Sequence, residues 1–71
     1  MEDLQKGKYR HYKGKEYEVL SVARHSETME RLVVYRQLYG DREVWVRPYD
    51  MFTEQVSTKA GSVPRFEKVW D

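Results

Sequence analysis

No cysteine occurs in this 71-residue sequence. That excludes a disulfide scaffold and any thiolate metal site, and it fits a reducing cytoplasm. No apolar run approaches the ~20 residues of a membrane span. The opening Met1-Glu2-Asp3-Leu4-Gln5 has no basic segment followed by an apolar stretch, so it does not read as a secretory signal. The expectation is a cytoplasmic protein with no membrane association. Glycine is scarce and dispersed: Gly7, Gly14, Gly40 and Gly61 stand singly, and no phosphate-cradling loop can be assembled from them. Ser21, Ser26, Ser57 and Ser62 lack the Gly-x-Ser-x-Gly context of a nucleophile elbow. His11 and His25 are far apart, each beside an arginine, Arg10 and Arg24. Metal sites need three or four converging ligands, and neighbouring cations oppose a bound cation. Neither metal nor cofactor is expected. A chain this short also has little room for a water-excluding pocket, so a non-catalytic protein is expected.

What the sequence has in quantity is aromatic and charged side chains. Six tyrosines, two tryptophans and two phenylalanines accompany a charged fraction of 35% and a net charge of +1. Aromatics bury large areas each, so a few can build most of a small core. That matters because a domain of this size buries only about 60% of the surface its unfolded chain exposes. The density of Tyr, Trp and β-branched residues argues against disorder despite the low hydropathy. One domain is expected over residues 6–69, with residues 1–5 a short flexible N-terminus.

The apolar segments alternate with period two and hold no 3.6-residue period. Strands are expected over Lys8–Tyr12, Lys15–His25, Leu32–Leu38 and Glu43–Arg47, with Lys13-Gly14 and Tyr39-Gly40-Asp41 as turns. The Lys15–His25 segment is apolar on both faces, as a strand that bends between sheets must be. Pro48 cannot donate to a ladder and ends the fourth strand. Pro48–Phe52 reads as one helical turn plugging the fold, Met51 and Phe52 being core more readily than a docking knob. Thr53–Thr58 and Val63–Val69 are further strand candidates, separated by a turn at Lys59-Ala60-Gly61-Ser62. Trp70 is expected at the surface or against a partner. The fold class is mostly β: a small SH3-like barrel of four to six antiparallel strands with a short helical turn.

Four motifs carry a resemblance: Lys6-Gly7-Lys8-Tyr9-Arg10-His11-Tyr12-Lys13-Gly14, Ala23-Arg24-His25-Ser26, Val34-Tyr35-Arg36-Gln37-Leu38-Tyr39-Gly40-Asp41, and Trp45-Val46-Arg47-Pro48 followed by Met51-Phe52. In this order and spacing the chain resembles domain of unknown function family 1653, small bacterial proteins. The resemblance runs from Lys6 to about Phe66. It implies a short, cytoplasmic, bacterial protein and carries no agreed activity or catalytic residue set.

Two constellations invite a binding role. Lys6, Lys8, Arg10, Lys13 and Lys15 interleave with Tyr9, His11 and Tyr12, as a phosphate-tracking groove with stacking platforms requires. The plainer reading is a charged edge strand that discourages aggregation. Arg24, His25, Tyr35, Arg36, Trp45 and Arg47 would share one wall if the central strands pair suitably, and arginines beside aromatic rings can clasp a phosphate, a carboxylate or a base. The plainer reading pairs those arginines with Asp41, Glu43 or Asp50. Hairpin register, which decides the face carrying Tyr35 and Trp45, is not fixed by sequence. The ligand-binding candidates are Arg10, Tyr12, Arg24, His25, Tyr35, Arg36, Trp45 and Arg47, the partner being RNA, single-stranded nucleic acid or a nucleotide. The alternative is a protein module that takes an extended peptide in a groove of Tyr12, Tyr35, Tyr39 and Trp45. Homodimerisation through an open sheet edge is compatible with both.

Overall fold

The computed structural model describes residues 4–70. Five antiparallel strands form the main sheet in the order β4-β3-β2-β1-β7: β1 Gly7–His11, β2 Glu16–Arg24, β3 Arg31–Gln37, β4 Val44–Pro48 and β7 Phe66–Lys68. A short helix, α1, occupies Tyr49–Phe52. It is followed by a two-stranded hairpin, β5 Gln55–Thr58 and β6 Gly61–Pro64. The mostly-β class and the single helical turn after Pro48 are as the sequence led one to expect. Among the described residues no helix is long and apolar enough to cross a membrane.

The sheet is not closed into a barrel. Closure needs a ladder between the two outermost strands, β4 and β7, and each spends its pairing on one neighbour only. The expected Val63–Val69 strand breaks at Pro64-Arg65 into β6 and β7, and β6 pairs with β5 in a separate sheet. A three-residue β7 offers too short an edge to continue the wall. β1, read above as a potential charged edge, lies inside the sheet between β2 and β7, so its lysines guard no edge.

Where the sequence calls for a bend, β2 has one. The β2–β3 register shifts between Val19 and Ser21, so Leu20 is the extra residue of a bulge, which explains why apolar residues occur on both faces. Upstream of it Tyr17 and Val19 face the core, and the downstream half presents Val22 on that face, opposite Val33.

That inner face carries the core: Tyr9, Val19, Val33, Tyr35, Phe52 and Phe66. The Phe52 and Phe66 rings stack at 4.1 Å between centroids and 2° between planes. Tyr9 and Tyr35 meet Phe52 at 5.7 and 5.4 Å. Helix α1 therefore works as a plug that delivers one phenyl ring onto the sheet. Leu4 packs against this cluster, and the Gln5 carbonyl accepts a 2.8 Å hydrogen bond from the Tyr9 hydroxyl. Leu4 and Gln5, within the expected flexible N-terminus, thus contact the core; residues 1–3 lie outside the described residues. The hairpin's base is held by Arg65 paired with Glu54 and by the Arg65 N–H donating to the Glu54 carbonyl at 3.0 Å.

Candidate functional site

Register settles which face each candidate occupies. Across β3 and β4, Tyr35 stands opposite Trp45, Val33 opposite Arg47, and Arg36 opposite Val44. Since successive residues alternate faces, Tyr35, Trp45 and Arg47 share the inner face with Tyr17 and Gln37, which pair with each other across β2 and β3. Tyr39 follows on the loop after β3. Together these six residues line a concavity of about 210 Å³.

Its polar atoms are already organised. The Tyr17 and Tyr39 hydroxyls lie 2.7 Å apart, and Gln37 bonds the Tyr39 hydroxyl while its Oε1 accepts from the Glu43 N–H at 3.1 Å. Arg47 Nε donates to the Tyr35 hydroxyl at 3.3 Å, with its guanidinium 5.5 Å from the Phe66 ring centre. Lys15 Nζ lies 4.6 Å from the Tyr39 ring centre, adding a second cation at the rim. Arg47 has no carboxylate partner among the described residues, so its charge is directed to the pocket and its rings. Trp45 is half exposed and forms an unpartnered indole flank.

The two phenols of the rim titrate apart. Burial, then the hydrogen bond to Tyr39, pushes Tyr17 up to about 12. Tyr39 is lowered from its ordinary value, first by the Tyr17 hydrogen bond and then by the bond to Gln37. Either hydroxyl can donate while both are protonated; Tyr39 is the phenol that ionises first, and Tyr17 then donates to it. A spectrophotometric tyrosine titration is expected to show one early phenol and two delayed ones, Tyr9 also being raised by burial. Tyr17→Phe is expected to remove one delayed phenol and to lessen the lowering of Tyr39, which keeps its bond to Gln37. Tyr17 holds its proton more tightly folded, at about 12, than in an unfolded chain at 10.0. Its share of stability is thus complete below the unfolded value and is lost as pH rises through the folded one. Alkaline unfolding that is identical for the wild type and Tyr17→Phe would contradict the assignment.

The other candidates lie elsewhere. Arg36 is on the outer face, 3.8 Å from Glu18. Arg24 Nη1 donates to the Met29 carbonyl at 2.8 Å, and His25 Nδ1 accepts from the Glu27 and Thr28 N–H groups at 3.1 and 3.3 Å. These two therefore brace the β2–β3 loop, because a side-chain acceptor at the start of a turn captures backbone donors that the ladder has released. Arg10 and Tyr12 line a second concavity of about 210 Å³ with His11, Val63, Pro64 and Glu67. There Arg10 is spent on Glu16 through Nε and Nη2 at 3.3 and 2.9 Å, and Glu67 supplies a further acid. Burial, followed by the charges of Arg65, Arg47 and Lys13, lowers the His11 pKa and keeps that ring neutral. No group of three His, Asp or Glu that could hold a metal exists among the described residues.

The eight sequence candidates thus divide, with Tyr35, Trp45 and Arg47 brought together and Arg24, His25 and Arg36 removed. Tyr39 was named only in the peptide alternative, and Tyr17 and Gln37 in neither reading. Both were accessible from the pattern, as Gln37 is two residues beyond Tyr35 on the same strand face.

Fold and pocket define a small open-sheet β domain with a basic, aromatic-walled concavity at one end. The chain belongs to the family described as "Protein of unknown function (DUF1653)", which matches residues 7–68. It is similar to a protein of that family from Bordetella bronchiseptica, known from a crystal structure, with 43% sequence identity and a TM-score of 0.87 over 94% of this chain and 88% of that one. No curated protein matches.

Proposed function

We propose that this chain is a non-catalytic, cytoplasmic binding module that takes a planar, anion-bearing group of single-stranded nucleic acid into the pocket of Tyr17, Tyr35, Gln37, Tyr39, Trp45 and Arg47. The observation that carries the reading is Arg47, a guanidinium without an acidic partner among the described residues, set on the same wall as an exposed indole and three phenols. Bases stack on such rings whatever their sequence, and arginine adds charge-assisted contact to phosphate.

Size narrows the choice. A concavity of about 210 Å³ is smaller than the roughly 300–1,000 Å³ of a typical small-molecule site. It holds one ring, with the rest of the ligand lying outside over Lys15. A polymer that inserts one base suits this better than a compact cofactor.

The test is a titration of a fluorescent oligothymidylate across a salt series. Two cations, Arg47 and Lys15, predict a log–log salt slope of roughly −1.4 for single strands. Absence of binding at low salt would end the reading. The peptide alternative is favoured by the half-exposed Trp45 and predicts salt-tolerant binding that Trp45→Ala abolishes and charge reversal at Arg47 spares.

A further inference from the structure

Strand β4 ends the main sheet and, among the described residues, has no strand on its outer side. Its first three residues are all exposed: Val44 at 50%, Trp45 at 49% and Val46 at 59%. An apolar edge left open in this way is a template for another strand. The Gln37 N–H donates to the Glu43 carbonyl at 3.0 Å. In an antiparallel ladder the bonded pairs then recur at Tyr35–Trp45 and Val33–Arg47. The N–H and C=O groups of Val44 and Val46 therefore point outward.

We infer that β4 pairs antiparallel with β4 of a second copy about a twofold axis at Trp45. The occupant and the register both follow from the edge. Arg42 has φ +55 and cannot extend the ladder on one side, while Pro48 lacks a donor on the other. Only pairing Val44 with the partner subunit's Val46, and Val46 with the partner subunit's Val44, uses all four outward groups and neither blocked residue. That register sets the two Trp45 residues directly opposite each other. On the same face it sets Glu43 opposite the partner subunit's Arg47, twice by symmetry, so each copy supplies the acid that Arg47 lacks within its own chain. On the opposite face valine meets valine. Cross-strand aromatic, β-branched and opposite-charge pairs are the contacts that stabilise an antiparallel ladder. An anion in the pocket then competes with the partner subunit's Glu43, making the dimer the ligand-free form; this last consequence alone rests on the functional reading.

Sedimentation velocity on the full chain without oligonucleotide tests the dimer separately from ligand binding. An interface this short lies at the low end of specific contacts, so self-association is expected between roughly 10 µM and 1 mM. Glu43→Lys and Arg47→Glu each create like charges across the axis and are expected to sediment as monomers, at least tenfold weaker in association. Mixed together, they place Lys opposite Glu and Arg opposite Glu, and are expected to form a heterodimer as readily as the wild type dimerises. Circular dichroism of each variant checks that it is folded. A wild type that stays monomeric to roughly 1 mM, the weak end of that range, overturns the inference. So does a folded pair of variants that does not associate on mixing.

Discussion

Phe52→Ala is expected to destabilise the fold by about 3–5 kcal/mol, the usual cost of truncating a buried phenylalanine. The side chain is 1% exposed and stacks face to face on Phe66, with Tyr9 and Tyr35 against it. Its ring neighbours Phe66, Tyr9 and Tyr35 are held by their own strands. A chain of 71 residues has roughly 4–11 kcal/mol of stability in total, so the variant loses about a quarter of it at least and unfolds at the lower bound. Denaturant midpoints at constant slope measure this. Met51→Ala, in the same helix but exposed, is expected to shift the midpoint by less than about 0.5 kcal/mol. Equal effects at the two positions would mean that α1 is not the plug of the sheet.

The largest expected effect on binding is at Arg47. Hydrogen bonds to charged groups contribute about 1.5–3 kcal/mol, so Arg47→Ala is expected to weaken oligothymidylate binding roughly 10- to 150-fold. Arg36→Ala removes the same charge from the outer face, where it is paired with Glu18, and is expected to change affinity less than about twofold, as exposed ion pairs contribute little. A non-specific electrostatic attraction would penalise the two substitutions alike. Equal losses therefore reject the pocket even if binding is real.

Much of the fold was legible because strand pattern, turn residues and the bend in β2 are local properties. Tyr39-Gly40-Asp41 marks the β3–β4 connection, where Gly40 adopts φ +56, and apolar residues on both faces of β2 announced the bulge at Leu20. Closure was not legible. It depends on which strands remain unpaired at the edges, a long-range outcome set here by the break at Pro64-Arg65 and by β7 docking on β1. The site was partly legible for the same reason. Tyr35, Trp45 and Arg47 follow from antiparallel pairing, and their alternation already forbids Arg36 from the wall that holds Tyr35. Arg24 and His25 were misplaced because their roles come from loop geometry, in which a guanidinium and an imidazole nitrogen meet backbone groups of the same turn. Composition reveals nothing of that.

The position of β1 has a consequence for how the molecule is made. Its second neighbour is the last strand of the chain, Phe66–Lys68, and Phe66 is also half of the central ring stack. A nascent chain on the ribosome can form the β2–β3–β4 meander but lacks both the final ladder and the ring on which Phe52 rests. Commitment to the native state is thus delayed until Phe66–Lys68 clears the exit tunnel, and the domain folds as one cooperative unit.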